Sequence, residues 1–325
     1  MTKFRLFGRQ TDEVSERELS HRQLAREVAA EGMVLLKNEG VLPLQNKKIA
    51  LFGAGARMTV KGGTGSGNMQ ERYSVSIEEG LKNAGFTLAS TRWMDRFDAA
   101  FAAEKEAWRL SIEARIKGYK PWEVQRMFDE VIHVTPLRFP IGDEIQQEDL
   151  PEDTDTAIYV IARQAGESAD RRLEKGDYYL TDNEAANLKL LGQKFKNVVV
   201  VLNTGGIVDT NFFNGKGGYA ANDSLNRSKI EGLDSLVLMS QAGMNGGRAL
   251  VQILNGEVNP SGKLTDTWAV DYNDYPSSAT FSWNDAVHKD GETKEESNAA
   301  NTAATAEEVY NDDIYVGYRF FDTFG

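Results

Sequence analysis

Short, continuously apolar runs alternate with amphipathic stretches along most of this chain. Four runs have the length and composition of strands that are buried on both faces: 49–52, 157–161, 198–202 and 233–239. Three stretches with helical spacing lie between or after them, near 74–83, 182–195 and 247–254. This alternation predicts an α/β fold, a mostly parallel sheet sandwiched by helices, of the (α/β)6-sandwich type.

The helix starts carry a second signal. Two pairs match the capping box, in which a hydroxyl side chain and a glutamate three residues later satisfy backbone N–H groups: Ser15 with Glu18, and Thr181 with Glu184. After the first pair, Leu24, Val28 and Leu35 recur at helical spacing. The pattern therefore predicts one amphipathic helix over 16–38. Farther along, 86–93 predicts an edge strand.

Polar and aromatic content divides the chain into three parts. Residues 1–283 are predicted to form the sandwich domain, with a helical excursion at about 95–150 that packs beside the sheet. In this excursion five apolar residues share one helical face: Phe97, Phe101, Trp108, Ile112 and Ile116. Residues 284–308 are polar and repetitive, which predicts an exposed loop. Residues 309–325 are rich in aromatic side chains, which predicts packing on the sandwich or against a following domain.

Composition narrows the classes of partner. The net charge of −12, from 37 basic and 49 acidic residues, argues against nucleic acid and anionic membrane surfaces as partners. The chain has no cysteine and three scattered histidines, so we expect neither a metal site nor a cofactor. No apolar run approaches the roughly 20 residues that span a bilayer. The first residues lack the apolar core of a signal peptide, which predicts a cytoplasmic protein.

Candidate chemistry lies in the loops after the strands. Four predicted strands end in loops of small and polar residues: 61–67, 165–172, 203–206 and 240–243. The carboxyl ends of parallel strands share one edge of a sheet, where ligands collect. The 61–67 loop has glycine at four of seven positions, but it lacks the spacing of a dinucleotide fingerprint or a P-loop. A structural turn and a ligand-binding loop explain it equally well.

The 165–172 loop holds carboxylates among basic residues. Composition does not choose among Glu167, Asp170 and Glu174, and charge runs are commonly solvated faces. Position favours Glu167, which comes soonest after the strand and is flanked by small residues that leave room for a ligand. A general acid needs a carboxyl near the leaving-group oxygen. Asp170 and Arg171 fit an ion pair that structures the loop.

Eight segments in order resemble the α/β-sandwich domain of glycoside hydrolase family 3, the β-glucosidase family. They are 31–38 with 42–44, 61–67, 166–167 with 170–171, 177–180 with 183–184, 198–205, 241–243, 259–264 and 314–323. The resemblance spans most of 20–325 and thins at 95–150 and 284–308. It implies a retaining, exo-acting glycosidase that uses two carboxyl groups.

The resemblance also implies roles for particular residues. Glu167 maps onto the family's general acid/base, although Ser168 and Ala169 depart from its usual neighbours. Ser66 maps onto a sugar contact of the glycine loop, with Thr64 and Lys61 as weaker substrate-binding candidates. Four glycines are expected to structure this loop: Gly62, Gly63, Gly65 and Gly67. A β-glucoside or oligosaccharide is the implied substrate.

The nucleophile in this family is an aspartate on a separate (β/α)8 barrel, and these residues contain no barrel. We expect the barrel downstream in the same gene, on a separate subunit, or removed, and the ending near Phe324 favours a chain that stops short of a continuation. The chain alone is expected to be inactive. A non-catalytic carbohydrate-binding or docking module of the same fold stays open as the alternative, and a nucleotide-binding domain as a third.

Overall fold

The computed structural model describes residues 12–69, 71–132, 137, 139–164, 172–279 and 312–324. The predicted polar loop at 284–308 lies outside these residues, as do Glu167, Asp170 and Arg171. The side chain of Ser66 is likewise outside the description, although its backbone is within it.

A six-stranded sheet forms the centre, in the order β1-β6-β5-β4-β2-β3. The strands are β1 (Val34–Asn38), β2 (Lys48–Phe52), β3 (Thr87–Leu88), β4 (Thr156–Arg163), β5 (Asn197–Thr204) and β6 (Ser235–Leu238). The pairs from β3 to β6 are parallel, and β1 joins β6 antiparallel. All eight residues of β4 are buried, as expected of a central strand that is covered on both faces. The predicted mostly parallel α/β sandwich is confirmed.

The described residues also form eight helices. They are α1 (Glu16–Gly32), α2 (Ile77–Asn83), α3 (Arg92–Ile116), α4 (Val124–Ile132), α5 (Asp182–Lys194), α6 (Asn211–Asn214), α7 (Gly246–Leu254) and α8 (Tyr318–Phe324). The capping boxes predicted at Ser15 and Thr181 are both confirmed. No helix among these is long and apolar enough to cross a membrane.

The connections reverse direction between β2 and β4. The chain leaves β2 through α2 to reach β3 on one side, and it leaves β4 through α5 to reach β5 on the other side. Open parallel sheets bind ligands at such a switch point, outside the carboxyl ends of the strands. We call this edge of β2 to β6 the carboxyl rim. The loops after β2 and β4, which the sequence singled out, leave the rim on either side of the switch point.

The prediction of one helix over 16–38 is wrong for its last six residues, 33–38. Helix α1 ends at Gly32, and Met33 adopts an extended backbone with φ −72° and ψ 141°. The next five residues form β1, which pairs with β6 far along the chain. Asn38 of β1 lies opposite Ser235 of β6. Spacing did not reveal this because a short apolar run fits a helix or a strand. The predicted inner face is also exposed: Leu24 is 56% and Val28 59% accessible.

The predicted edge strand over 86–93 is shorter than expected. Strand β3 has two residues, and α3 begins at Arg92. The buried residues of α3 are Trp93, Met94 and Phe97, all in its first two turns. The rest of this 25-residue helix therefore does not pack beside the sheet as predicted.

Candidate active site

One buried asparagine joins three segments of the carboxyl rim. The side-chain Nδ2 of Asn203 donates to the carbonyl oxygens of Val60 at 2.9 Å and Ser240 at 2.7 Å. Its Oδ1 accepts from the Val60 N–H at 2.6 Å. Next to it, the N–H of Gly243 donates to the Lys61 carbonyl at 3.0 Å. The start of the glycine loop is thus fixed to the ends of β5 and β6.

The glycine loop itself follows this junction. Gly65 has a φ of +68°, a backbone conformation that side chains with a Cβ rarely adopt, and Gly65–Gly67 forms one 3-10 turn. A Cβ added at Gly67 would meet nothing within 4 Å, and one at Gly62 would meet only the Gly67 carbonyl at 3.6 Å. Contacts within the described chain therefore do not account for glycine at these two positions.

The predicted substrate contacts occupy different parts of this loop. Ser66 lies in the 3-10 turn, and Thr64 is the half-buried residue that precedes it. Lys61 instead closes the base of the loop, because its Nζ pairs with Glu71 and donates to the Met69 carbonyl at 3.1 Å. The hydrogen bond from Lys61 lowers the pKa of Glu71. In this structure Lys61 is thus engaged within the loop.

The second loop begins where β4 ends and is held by a buried ion pair. Arg163 makes two hydrogen bonds to Glu184, at 2.8 and 2.7 Å, and both side chains are less than 10% exposed. The Nε of Arg163 also donates to the Asp177 carbonyl at 3.0 Å. Arg163 therefore links the end of β4, the start of α5 and the segment between them. Residues 165–171, with the predicted general acid, lie outside the described residues.

The far side of the second loop has its own anchors. The Asp177 carboxylate accepts from the Arg172 N–H at 2.8 Å, and the Tyr178 carbonyl accepts from the Asp209 N–H at 2.9 Å. Asp209 pairs with the buried Arg227, which also binds Asp271 at 2.7 Å.

The two carboxylates that share Arg227 have opposite pKa shifts. Burial raises the pKa of Asp209 more than the hydrogen bonds from Asn211 and Arg227 lower it. Burial also acts to raise the pKa of Asp271, but hydrogen bonds led by the one from Arg227 outweigh it and bring this pKa to about 2. Asp271 is thus charged over the whole working range of pH.

Two clefts open beside these loops. One of about 330 Å³ lies between the base of the glycine loop and the start of α2, and it is lined by polar residues that include Arg57, Thr59 and Glu78. The other, of about 160 Å³, lies beyond the ends of β5 and β6 near Gly205 and Trp268. Within the described parts of the chain, no group of three or more acidic or histidine side chains is arranged as a metal site.

Sequence reasoning missed the residues that hold the rim together. The sequence pattern predicts Asn203 in a polar loop and Glu184 in a capping box, and it does not predict that Glu184 pairs with Arg163. One signal is present in the sequence: Arg163 and Asn203 directly follow the long apolar runs of β4 and β5 and still belong to those strands. A buried polar side chain has to be satisfied by hydrogen bonds, so such positions mark anchors.

Comparisons with known proteins identify the family. The family model for the glycosyl hydrolase family 3 C-terminal domain matches residues 33–318. The chain belongs to glycoside hydrolase family 3, and the resemblance found in its sequence is confirmed.

Individual relatives are β-glucosidases. The chain is 32% identical to β-glucosidase A of Butyrivibrio fibrisolvens, over 93% of this chain and 33% of that protein. It is 34% identical to a β-glucosidase of Ruminococcus albus, over 92% of this chain and 26% of that protein. The structure of β-glucosidase 3B from Thermotoga neapolitana with α-D-glucose is similar, with a TM-score of 0.66 and 33% identity over 96% of this chain and 37% of that one. The chain thus spans about a third or less of these two curated relatives.

Proposed function

We propose that this chain is the part of a retaining, exo-acting β-glucosidase that carries the general acid/base, Glu167. The nucleophile is then an aspartate on a (β/α)8 barrel, which completes the site from a following domain or another subunit. The observation that carries this proposal is the topology: β2 and β4, which the glycine loop and the Glu167 segment follow in the sequence, flank the switch point of a family 3 sheet. The β-glucosidase activity named for the relatives supports the substrate class.

The chemistry follows from two carboxyl groups about 5–5.5 Å apart. The barrel aspartate attacks the anomeric carbon while Glu167 donates its proton to the departing oxygen. In the second step, Glu167 as carboxylate takes a proton from water, which then hydrolyses the glycosyl-enzyme. For both steps the Glu167 loop needs fixed ends. The Arg163–Glu184 pair and the Asp177 contacts supply these at either side of it.

The glycine loop is proposed as a wall of the sugar pocket. Gly62 and Gly67 have room for a Cβ within the chain, so their lack of side chains leaves that space to a ligand. Ser66, with Thr64 beside it, is the proposed contact to sugar hydroxyls. Lys61 is a weaker candidate because its Nζ is engaged by Glu71.

A leaving-group series on the completed enzyme tests this proposal. The chain is combined with its barrel polypeptide, and Glu167→Ala is assayed on aryl β-glucosides of differing leaving-group pKa. We expect a loss of roughly 10²–10⁴-fold with poor leaving groups, where protonation matters most. With an activated substrate, azide should restore part of the turnover because it replaces the water that Glu167 activates.

Glu174→Gln is the matched control, since Glu174 is an exposed carboxyl of the same region, 3.7 Å from Arg172. It should behave as the wild type. Should Glu167→Ala also keep wild-type turnover on every substrate, the acid/base role is refuted. If the unaltered complex binds a β-glucoside without cleaving it, the alternative of a carbohydrate-binding module takes its place.

A further inference from the structure

Helix α3 rises from the sheet toward the carboxyl rim. Just before it, the N–H of Ala89 donates to the carbonyl oxygen of Ile49, near the amino end of β2. The Trp93 ring then packs on Phe52, the last residue of β2, with ring centroids 6.4 Å apart. One turn later, Asp98 pairs at 2.7 Å with Arg57, which follows the end of β2. From Ala89 to Asp98 the contacts of this segment thus move from Ile49 near the amino end of β2 to Arg57 beyond its carboxyl end.

The same helix continues well past the rim. From Asp98 to Ile116 it extends for about 27 Å, at 1.5 Å per residue. Helix α4 then packs back against it, and the chain re-enters the body at the rim, where the Gly142 carbonyl accepts from Asn183 in the first turn of α5 at 3.1 Å. Residues 98–132 therefore form a helical hairpin, here called the arm, that stands on the rim side of the sheet.

The tip and outer flank of the arm are apolar and uncovered. Trp122 is 78% exposed, Val124 63% and Phe128 58%. Val124 and Phe128 are one helical turn apart, so they share a flank of α4. None of the described side chains of α4 is buried. Apolar side chains grouped in this way on a surface mark a contact site.

The charged residues of the arm do not indicate a charged partner. It carries seven acidic and six basic residues, whereas the whole chain carries −12. Several of these charges are paired within the arm, as Arg109 is with Glu106 and Glu113. A contact made through the exposed apolar side chains of the arm would therefore depend little on salt.

We propose that the arm is a docking surface for the (β/α)8 barrel and that Trp122, Val124 and Phe128 are buried against it. This inference rests on the proposed function. A barrel carboxylate has to come within about 5–5.5 Å of one on the rim loops, so the barrel sits directly on the rim. An arm whose helix α3 extends for about 27 Å from Asp98, at the β2–β3 edge, then flanks the barrel. The curated relatives have room for such a domain, because this chain covers 33% or less of their length.

A titration of the full chain with its barrel polypeptide tests the arm. The barrel is expressed separately from the gene that encodes this chain or from the adjacent gene. Hydrolysis of an aryl β-glucoside is followed against barrel concentration, and calorimetry gives the Kd without relying on activity. For the double variant Trp122→Ser/Phe128→Ser we expect the half-saturating concentration and the Kd to rise roughly tenfold or more, with an unchanged plateau rate.

Two comparisons make the result specific. Lys105→Ser, a similar change on the charged surface of α3, should leave the Kd unchanged. Glu167→Gln should do the opposite of the arm variant: it lowers the plateau and leaves the Kd as it was. A failure of the proposed acid/base role is thereby distinguished from a failure of docking.

The arm proposal is overturned if the double variant binds the barrel as tightly as the wild type does. It is also overturned if the wild-type chain alone dimerises in sedimentation experiments and the double variant is monomeric, since the arm then binds a second copy. Far-ultraviolet circular dichroism of the variant should match the wild type, because both side chains are mostly exposed. A tryptophan emission that shifts to shorter wavelength on adding barrel to the wild type, but not to the double variant that lacks Trp122, supports the proposal.

Discussion

The glycine loop after β2 and the loop after β4 leave the sheet on either side of the same switch point, yet different interactions hold their bases. At the glycine loop, the neutral amide of Asn203 makes three hydrogen bonds to backbone groups of Val60 and Ser240. At the second loop, the charged pair Arg163–Glu184 is buried and adds a bond to the Asp177 carbonyl.

The difference fits what each loop is proposed to do. A backbone wall of a sugar pocket needs a fixed path for the chain, which amide hydrogen bonds define without adding charge. A loop with a general acid has to keep its carboxyl at one distance from a second carboxyl, and a two-pronged guanidinium–carboxylate contact fixes geometry more strictly. The disadvantage is that removing one partner leaves the other charge buried and uncompensated, which destabilises the folded protein.

Removing one side of the buried pair should have the largest effect. Arg163→Met leaves the Glu184 carboxylate buried without its cation, so we expect the free energy of unfolding to fall by about 3–5 kcal/mol. Urea denaturation measures this loss of stability, provided that the m-value is the same for the variant and the wild type. Arg109→Met, which removes an exposed pair on the arm, should leave the free energy of unfolding nearly unchanged. Equal losses for both variants contradict the role given to Arg163.

The neutral anchor should come second. Asn203→Ala leaves the buried Val60 N–H without its partner and removes two further bonds, so we expect a loss of about 2–4 kcal/mol. Hydrogen exchange should show faster exchange at the Val60 amide. Asn203→Asp keeps the acceptor but not the two donated bonds, and should still protect that amide. Asn255→Ala, at an exposed turn, is the control. Unchanged exchange at Val60 in Asn203→Ala excludes the anchor.

The ion pair across the base of the glycine loop should have the smallest effect. Lys61→Gln removes the partner of Glu71 and should cost about 0.2–1 kcal/mol, since the pair is partly open to solvent. Lys61 lowers the pKa of Glu71, so the pair contributes stability above the usual pKa of 4.5 and loses it as pH falls through the lowered value.

Thermal melts at two pH values therefore measure this pair. The difference between wild type and Lys61→Gln should be present at pH 7, shrink as the pH falls below 4.5, and be smaller in 1 M salt. Lys196→Gln, at another exposed lysine, should show no such dependence. In the completed enzyme, an unchanged KM for Lys61→Gln favours a loop-structuring role, whereas a KM raised tenfold without loss of stability makes Lys61 a sugar contact.

Much of the fold could be predicted from sequence because its signals are local. Strands β2, β4 and β5 are continuous apolar runs, and the capping boxes at Ser15 and Thr181 mark helix starts within four residues. The order of strands and helices then predicts a parallel sheet, and with it the rim on which candidate loops gather. The eight matching segments added the family, which the comparisons confirm.

What failed depended on partners far away in the chain. The last five residues of the predicted first helix form β1 because they pair with β6, about 200 residues later, and spacing alone does not show an edge strand. Asn203 joins Val60 across 143 residues. The direction of α3 past the rim could not be predicted for the same reason. Periodicity shows which residues share a face of a helix, but not what that face packs against.

The sequence by itself therefore determined the class of fold, the family and the two loops where chemistry is expected, because periodicity, capping and motif order are written in neighbouring residues. The tertiary structure decided which polar residues anchor those loops, which face of α1 is exposed and where the arm stands. These features depend on contacts between residues that are far apart in the sequence. Burial and hydrogen bonding fix such contacts only in the folded chain.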